Sequence, residues 1–363
     1  MVSTTAVLLL AHGTPDSIED VPCFLYAVTG GRPLPEEVIA EVKHRYGRIG
    51  RSPLRELTLK QAEAVQQELG LRVYVGMRNW TPYIRDVVAQ MAADGITRAV
   101  AICLAPHNSR TSVGLYKQAV FTPPPAEGSA ETNLPKPAPL AIDFVESWHD
   151  HPLLIRAFAE KLETGWKQAC SEAGCRVPVI FTAHSVPTGT VAEGDPYAEQ
   201  ARQTAELVAM QVGGLAIDDW TFAFQSQGMS GGPWLGPTVE DTMLELKARG
   251  RSGVFIQPVG FLCDHVEVLY DIDIAFRKFA EDHGLRLWRA ESLNGSPLLI
   301  AALAGVARSR LQLGPPPNVG GLVQIGKSED RSQESKTDGT DDPAERDQFP
   351  EAKTPEGMKV QAP

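Results

Sequence analysis

Short apolar runs recur along this chain, each separated from the next by a stretch of helical periodicity, and that alternation restricts the fold more than any other feature. The runs are Val7–Ala11, Val73–Met77, Arg98–Leu104, Leu140–Phe144, Val177–Thr182, Trp220–Phe224, Gly253–Pro258 and Leu285–Arg289. Around them Glu36–Tyr46, Leu59–Leu69, Pro82–Asp94, Pro152–Ala173, Ala198–Val212, Val239–Ala248, Val266–His283 and Pro297–Arg310 read as helices. Strands alternating with helices pair in parallel and carry helices on both faces, so ligands are expected beyond the strands' carboxyl ends. The reading is α/β, with two Rossmann-like domains at 1–147 and 148–313.

The halves echo each other. Val7-Leu8-Leu9-Leu10-Ala11-His12-Gly13-Thr14-Pro15 and Val179-Ile180-Phe181-Thr182-Ala183-His184-Ser185-Val186-Pro187 both end a buried strand in Ala-His, a small residue, one further position and Pro. Chance similarity of two strand ends is the plain alternative. Duplication of one half would make His12 and His184 face a single cleft between the domains.

Composition removes several function classes. A net charge of −11 with no basic stripe argues against nucleic-acid binding. No apolar run approaches the roughly 20 residues that span a bilayer, and no charged start precedes an apolar core, so a cytoplasmic protein without a transmembrane segment is expected. The five cysteines form no CxxC pair and are expected as free thiols, with Cys170 and Cys175 at a helix end. There is neither a Walker loop nor a dinucleotide fingerprint, hence no nucleotide cofactor. A proline-rich loop over 122–139 and a polar tail over 314–363 are expected to lack regular structure.

The candidate chemistry gathers at strand ends. Gly253–Pro258 feeds a helix on which Glu267 and Asp271 lie four apart and share a face. His184 ends another strand of the same half. Imidazole plus carboxylate suits a borderline cation such as Fe²⁺, and equally suits proton abstraction. Asp264 and His265 point elsewhere on that helix and take supporting or capping roles. Asp271 is either an outer metal-feeding carboxylate or part of a solvated acidic face. Arg45-Tyr46, followed by Gly47 to Leu54, reads as a glycine-spaced basic loop that can present Arg and Ser to carboxylates.

Taken together, His12-Gly13-Thr14-Pro15, Ser52-Pro53-Leu54, Tyr74 to Pro82, Leu104 to Ser109, Ala183 to Pro187, Gly194 to Tyr197, Phe224 to Gly228, Trp234 to Pro237 and Pro258 to Asp271 stand in one order across residues 5 to 312. In these the chain resembles the ferrochelatases, above all their soluble bacterial coproporphyrin III branch. The resemblance implies the type II chelatase fold and a porphyrin held in the inter-domain cleft. It implies a lyase that inserts Fe²⁺, as substrate, into coproporphyrin III or protoporphyrin IX in haem biosynthesis. His184 and Glu267 match the family's catalytic and metal-binding pair, with the ring between them. Asp271 matches an outer metal site, and Arg45, Tyr46, Ser52 and Tyr116 match porphyrin contacts. His12 replaces a tyrosine that ligates product iron in the bacterial relatives, which makes an imidazole axial ligand thinkable. Thr29 replaces an arginine directed at a propionate, and Ala275 replaces a second outer carboxylate. No iron–sulfur cluster is implied, and a monomer is expected. The other readings are a non-catalytic tetrapyrrole carrier and a chelatase for another divalent metal.

Overall fold

Two parallel sheets carry the architecture. The computed structural model describes residues 4–122, 140–227 and 232–314. The expected proline-rich loop past Thr122 and the expected tail past Gly314 lie outside these residues. The first sheet holds β1 (Thr5–Ala11), β2 (Arg72–Met77), β3 (Arg98–Cys103) and β4 (Ala141–Val145) in the order β2-β1-β3-β4. The second holds β5 (Val179–His184), β6 (Trp220–Gln225), β7 (Gly253–Pro258) and β8 (Arg286–Arg289) in the order β6-β5-β7-β8. All ladders are parallel. Both sheets thus place their first strand between their second and third, the arrangement that duplication would produce. His12, one residue past β1, and His184, the last residue of β5, occupy corresponding ends.

In the first half the helices are α1 (Val21–Val28), α2 (Glu36–Ile49), α3 (Leu54–Leu69), α4 (Ile84–Ala93) and α5 (Val113–Phe121). The second half holds α6 (Pro152–Ala173), α7 (Thr188–Ala192), α8 (Tyr197–Gln211), α9 (Val239–Ala248), α10 (Val266–Leu269), α11 (Arg277–Asp282) and α12 (Pro297–Leu311). Sequence periodicity misses α1 and α5. Val21–Val28 is apolar all round and Val113–Phe121 nearly so, so neither offers a polar face that would mark a 3.6-residue period.

Strand alternation sorts the core. On β1, Val7, Leu9 and Ala11 face one cluster while Ala6, Leu8 and Leu10 face another. Val179, Phe181 and Ala183 of β5 enter the same cluster as Val7 and Leu9, so one continuous apolar body lies between the two sheets. The last helix crosses from the second half to the first: α12 packs on α3, α6 and β3. Its end is tied there by Arg98, whose guanidinium donates to the Leu311 and Arg310 carbonyls, and by Arg308, which donates to the Glu68 carbonyl.

Two expectations are corrected. Val266–His283 is not one α-helix. Between α10 and α11, Asp271–Phe276 is π-helical, and the Ala275 N–H bonds the Tyr270 carbonyl five residues back at 2.9 Å. The stretch after Arg45 is not a free loop either. The helix α2 continues through Gly47 to Ile49, and Gly50, at φ 74°, is the glycine that turns the chain out of it.

Candidate active site

A cleft of about 600 Å³ opens where the carboxyl ends of β1, β5 and β7 converge. Its wall includes His12, Arg45, Tyr46, Ser52, Tyr116, His184, Glu267 and Asp271, so the structure brings every sequence-nominated site residue to one place. A close backbone approach makes this possible. A Cβ on Gly260 would sit 2.9 Å from both Cα and Cβ of Ala183, so the turn after β7 lies directly against the end of β5.

That contact sets His184 beside Glu267, with His184 Nε2 3.6 Å from Glu267 Oε2. His184 Nδ1 donates to the Ser185 carbonyl, which directs Nε2 at the carboxylate. Glu267 Oε2 is shut off from solvent and accepts no hydrogen bond. Burial opposes its ionisation, but His184, His265 and Arg45 outweigh burial and hold its carboxyl below the usual value. A tetrapyrrole between these two side chains would need about 7 Å, two van der Waals contacts of roughly 3.5 Å. The expectation that a ring lies between them is therefore corrected: His184 and Glu267 stand side by side on one wall of the cleft.

The backbone of α10 is held from the neighbouring strands. Thr182 donates to Gln225 Oε1 at 2.7 Å, and Gln225 Nε2 donates to the Glu267 carbonyl at 3.2 Å. Asp264 does support the turn, accepting from Ser292 at 2.7 Å and from Asn294 at 2.8 Å. His265 departs from its expected role. It precedes α10 without capping it, donates from Nδ1 to the Cys263 carbonyl at 3.0 Å, and lines the cleft.

Asp271 is 9% exposed and reaches the cleft as the first residue of the π segment. Burial, then the Glu267 charge, pushes its pKa up to about 6 against the opposing Ser226 hydroxyl and Arg45. Ser226, itself in the left-handed region at φ 58°, donates to Asp271 Oδ2. Arg45 is already engaged: it donates to Glu41 at 2.9 Å, lies 3.5 Å from Asp271 Oδ1, and covers the Tyr270 ring. Tyr46 is buried against Phe24, with its hydroxyl 3.3 Å from that of Thr14. Ser52 accepts weakly from the Leu54 N–H at 3.5 Å.

The His12 pKa falls to about 4, through burial and then Arg78, so the ring is neutral. Its Nδ1 lies 3.2 Å from the Gly13 carbonyl and so carries the proton, leaving Nε2 to accept from the Asn79 amide at 3.0 Å. An axial bond to iron from His12 would require that second hydrogen bond to be given up. Among the described residues no cluster of three or more His, Cys, Asp or Glu side chains is arranged to hold a metal ion.

The ferrochelatase family profile matches residues 4–311, which span both sheets and all of this cleft. The chain belongs to the ferrochelatase family. A relative named ferrochelatase from Acidobacterium capsulatum is 56% identical over 325 residues, covering 86% of this chain and 96% of the relative. Another ferrochelatase, from Thermus thermophilus, is 41% identical over 313 residues, covering 79% and 93%. The coproporphyrin III ferrochelatase of Geobacillus kaustophilus is 36% identical over 320 residues, covering 85% and 97%. Within this ferrochelatase cleft four wall or support residues escape the sequence reading as site residues. Trp234 stands against His184, with ring centroids 6.5 Å apart, and Tyr197 hydrogen-bonds to the His184 main chain. Arg78 and Asn79 directly follow β2, a strand-end position that is a usable signal in such folds.

Proposed function

We propose that this protein is a lyase that inserts Fe²⁺ into a porphyrin in haem biosynthesis, with coproporphyrin III the favoured ring. The observation that carries this is the His184–Glu267 pair. An imidazole nitrogen and a carboxylate oxygen without a hydrogen-bond partner lie 3.6 Å apart on one wall of a largely apolar cleft. Insertion exchanges two pyrrole protons for one Fe²⁺, so the wall facing the ring must accept protons and pass a dication. His184 Nε2, with Nδ1 committed to Ser185, accepts the two pyrrole protons in turn, passing the first to solvent through the exposed part of its ring before the second arrives. Glu267 offers charge to the incoming cation and to the imidazolium, and Asp271, also on the cleft wall, adds a second carboxylate beside it. Tyr46, Ser52 and Tyr116 bound the ring's edge. The ring preference is supported by relatives that carry the coproporphyrin III name.

The test is purified protein given Fe²⁺ without oxygen, with coproporphyrin III and protoporphyrin IX in parallel, followed by absorbance of the metalloporphyrin. Insertion with coproporphyrin III as the faster ring is expected. Binding of both rings without insertion would replace this reading with that of a carrier.

A further inference from the structure

Beside the cleft lies a second cavity, of about 670 Å³, and Val28 and Arg78 border both. Its wall carries Arg78 and Arg85 and, among the described residues, no acidic side chain, in a chain whose net charge is −11. Arg85 is partly neutralised by Asp86 at 3.4 Å. In the cleft, Arg45 is neutralised by Glu41 and Asp271. Arg78 differs from both. Among the described residues no carboxylate lies within 4.0 Å of its guanidinium, its Nε is shut off from solvent without a hydrogen-bond partner, and its contact is the face of Tyr116, 5.3 Å from Cζ to the ring centroid.

A half-buried guanidinium without a counter-charge is costly to keep, and a ring face compensates it only in part. Neighbouring groups do not supply the anion. The Thr29 hydroxyl donates back into the end of α1, with the Arg32 carbonyl at 2.6 Å and the Leu25 carbonyl at 3.0 Å, and Arg32 Nε donates to the Thr29 carbonyl at 3.1 Å. Neither Thr29 nor Arg32 therefore offers a free donor to the cavity from these atoms. Arg78 stands one face toward the ring's cleft and one toward an acid-free cavity, with a planar donor fork that matches a carboxylate.

We propose that Arg78 and the second cavity form a carboxylate site that takes one carboxylate arm of the porphyrin held in the adjacent cleft, making Arg78 a specificity-determining residue for rings with more carboxylates. This rests on the porphyrin reading above. The arm leaves the ring edge, passes Val28 and Tyr116, and meets the Arg78 fork with Asn79 and Gln118 within the same cavity wall.

The test is fluorescence titration of full-length parent, Arg78→Met and Arg78→Lys with coproporphyrin III and with its tetramethyl ester in the same detergent, alongside anaerobic insertion kinetics. In Arg78→Met the Kd for coproporphyrin III should rise by about 10-fold or more, as expected for a lost charged hydrogen bond. The ester's Kd should not move, and the effect should fall on KM rather than kcat. Arg78→Lys should recover part of the loss. The ligand-free Tm of Arg78→Met should not fall, because a charge without a partner has been removed. Equal weakening of acid and ester, or a lower ligand-free Tm, would make Arg78 a structural brace and overturn the proposal. Inorganic phosphate that binds the parent but not Arg78→Met, without competing with coproporphyrin III, would place an independent anion site there and also overturn it. Either failure leaves insertion itself measurable, so the chelatase reading is tested separately.

Discussion

Asn79 grips His12 twice: its backbone N–H donates to the His12 carbonyl at 3.0 Å, and its side-chain amide donates to His12 Nε2, also at 3.0 Å. With Nδ1 bound to the Gly13 carbonyl, the imidazole enters the cleft wall with both nitrogens occupied. Asn79 thus keeps the imidazole Nε2 occupied.

Asn79→Ala is accordingly expected to unmask Nε2. Bound ferrous porphyrin product should shift toward the absorption spectrum of an imidazole-bound iron and dissociate about 5-fold more slowly, the worth of one neutral hydrogen bond. Adding His12→Ala should reverse both changes. A spectrum that Asn79→Ala leaves untouched while His12→Ala alters it would show that the hydrogen bond does not control ligation.

Removing either member of the pair should separate chemistry from binding. His184→Ala and Glu267→Gln are each expected to lower the insertion rate by about 100-fold or more, in the range for a positioned acid–base group, while the porphyrin Kd stays within about 3-fold. Steady turnover by both variants would refute the assignment. Glu267→Gln should also lower the fold's stability at neutral pH, since the amide loses the charge attraction to His184, His265 and Arg45 that holds the carboxyl ionised.

The raised pKa of Asp271 carries a sign that calorimetry can read. Its value in the folded protein is about 6 against an ordinary 3.8, so between those values the folded protein holds a proton that the unfolded chain has released. Stability from this group therefore falls as pH rises through that window, by roughly 3 kcal/mol at most. His12, depressed from 6.5 to about 4, works in the opposite sense and loses stability as pH falls through its own window. Asp271→Asn should stabilise the protein more at about pH 7.5 than at about pH 4.5. An equal effect at both would mean that the carboxyl is not held protonated by burial.

Gly260→Ala tests the contact that builds the site. The added methyl would meet Ala183 at 2.9 Å, where backbone and not a flexible side-chain tip must move. A loss of about 1–3 kcal/mol in urea unfolding is expected, with a fall in kcat as Glu267 is displaced from His184. A variant with normal stability and rate would show that the turn has room to yield.

Much of this was legible in the chain because buried strands and their ends are local features. His184 and Glu267 each sit just past an apolar run, and the parallel fold then requires both to face one cleft. What stayed hidden depends on contacts between distant segments. The side-by-side placement of His184 and Glu267 comes from Gly260 lying on Ala183, a distance that spacing does not encode. The π segment at Asp271–Phe276 has the same apolar pattern an α-helix would have. Arg78 looked like any charged residue after a strand, because its lack of a counter-charge is a property of its neighbours and not of its own position.

The crossing of α12 onto the first sheet bears on how the chain reaches this state during synthesis. Val7, Leu9, Val100 and Ile102 face the cluster that α6 and α12 complete, and Gln61 donates to the Asn294 carbonyl at 2.6 Å. A ribosome that has released only residues 1–147 has delivered a sheet with one apolar face covered only in part, by Ala62 and Val65 of α3. Folding of the first half must wait for its last partner, more than two hundred residues after β1 begins, and a fragment cut at the boundary between the sheets should be aggregation-prone, not an independent domain.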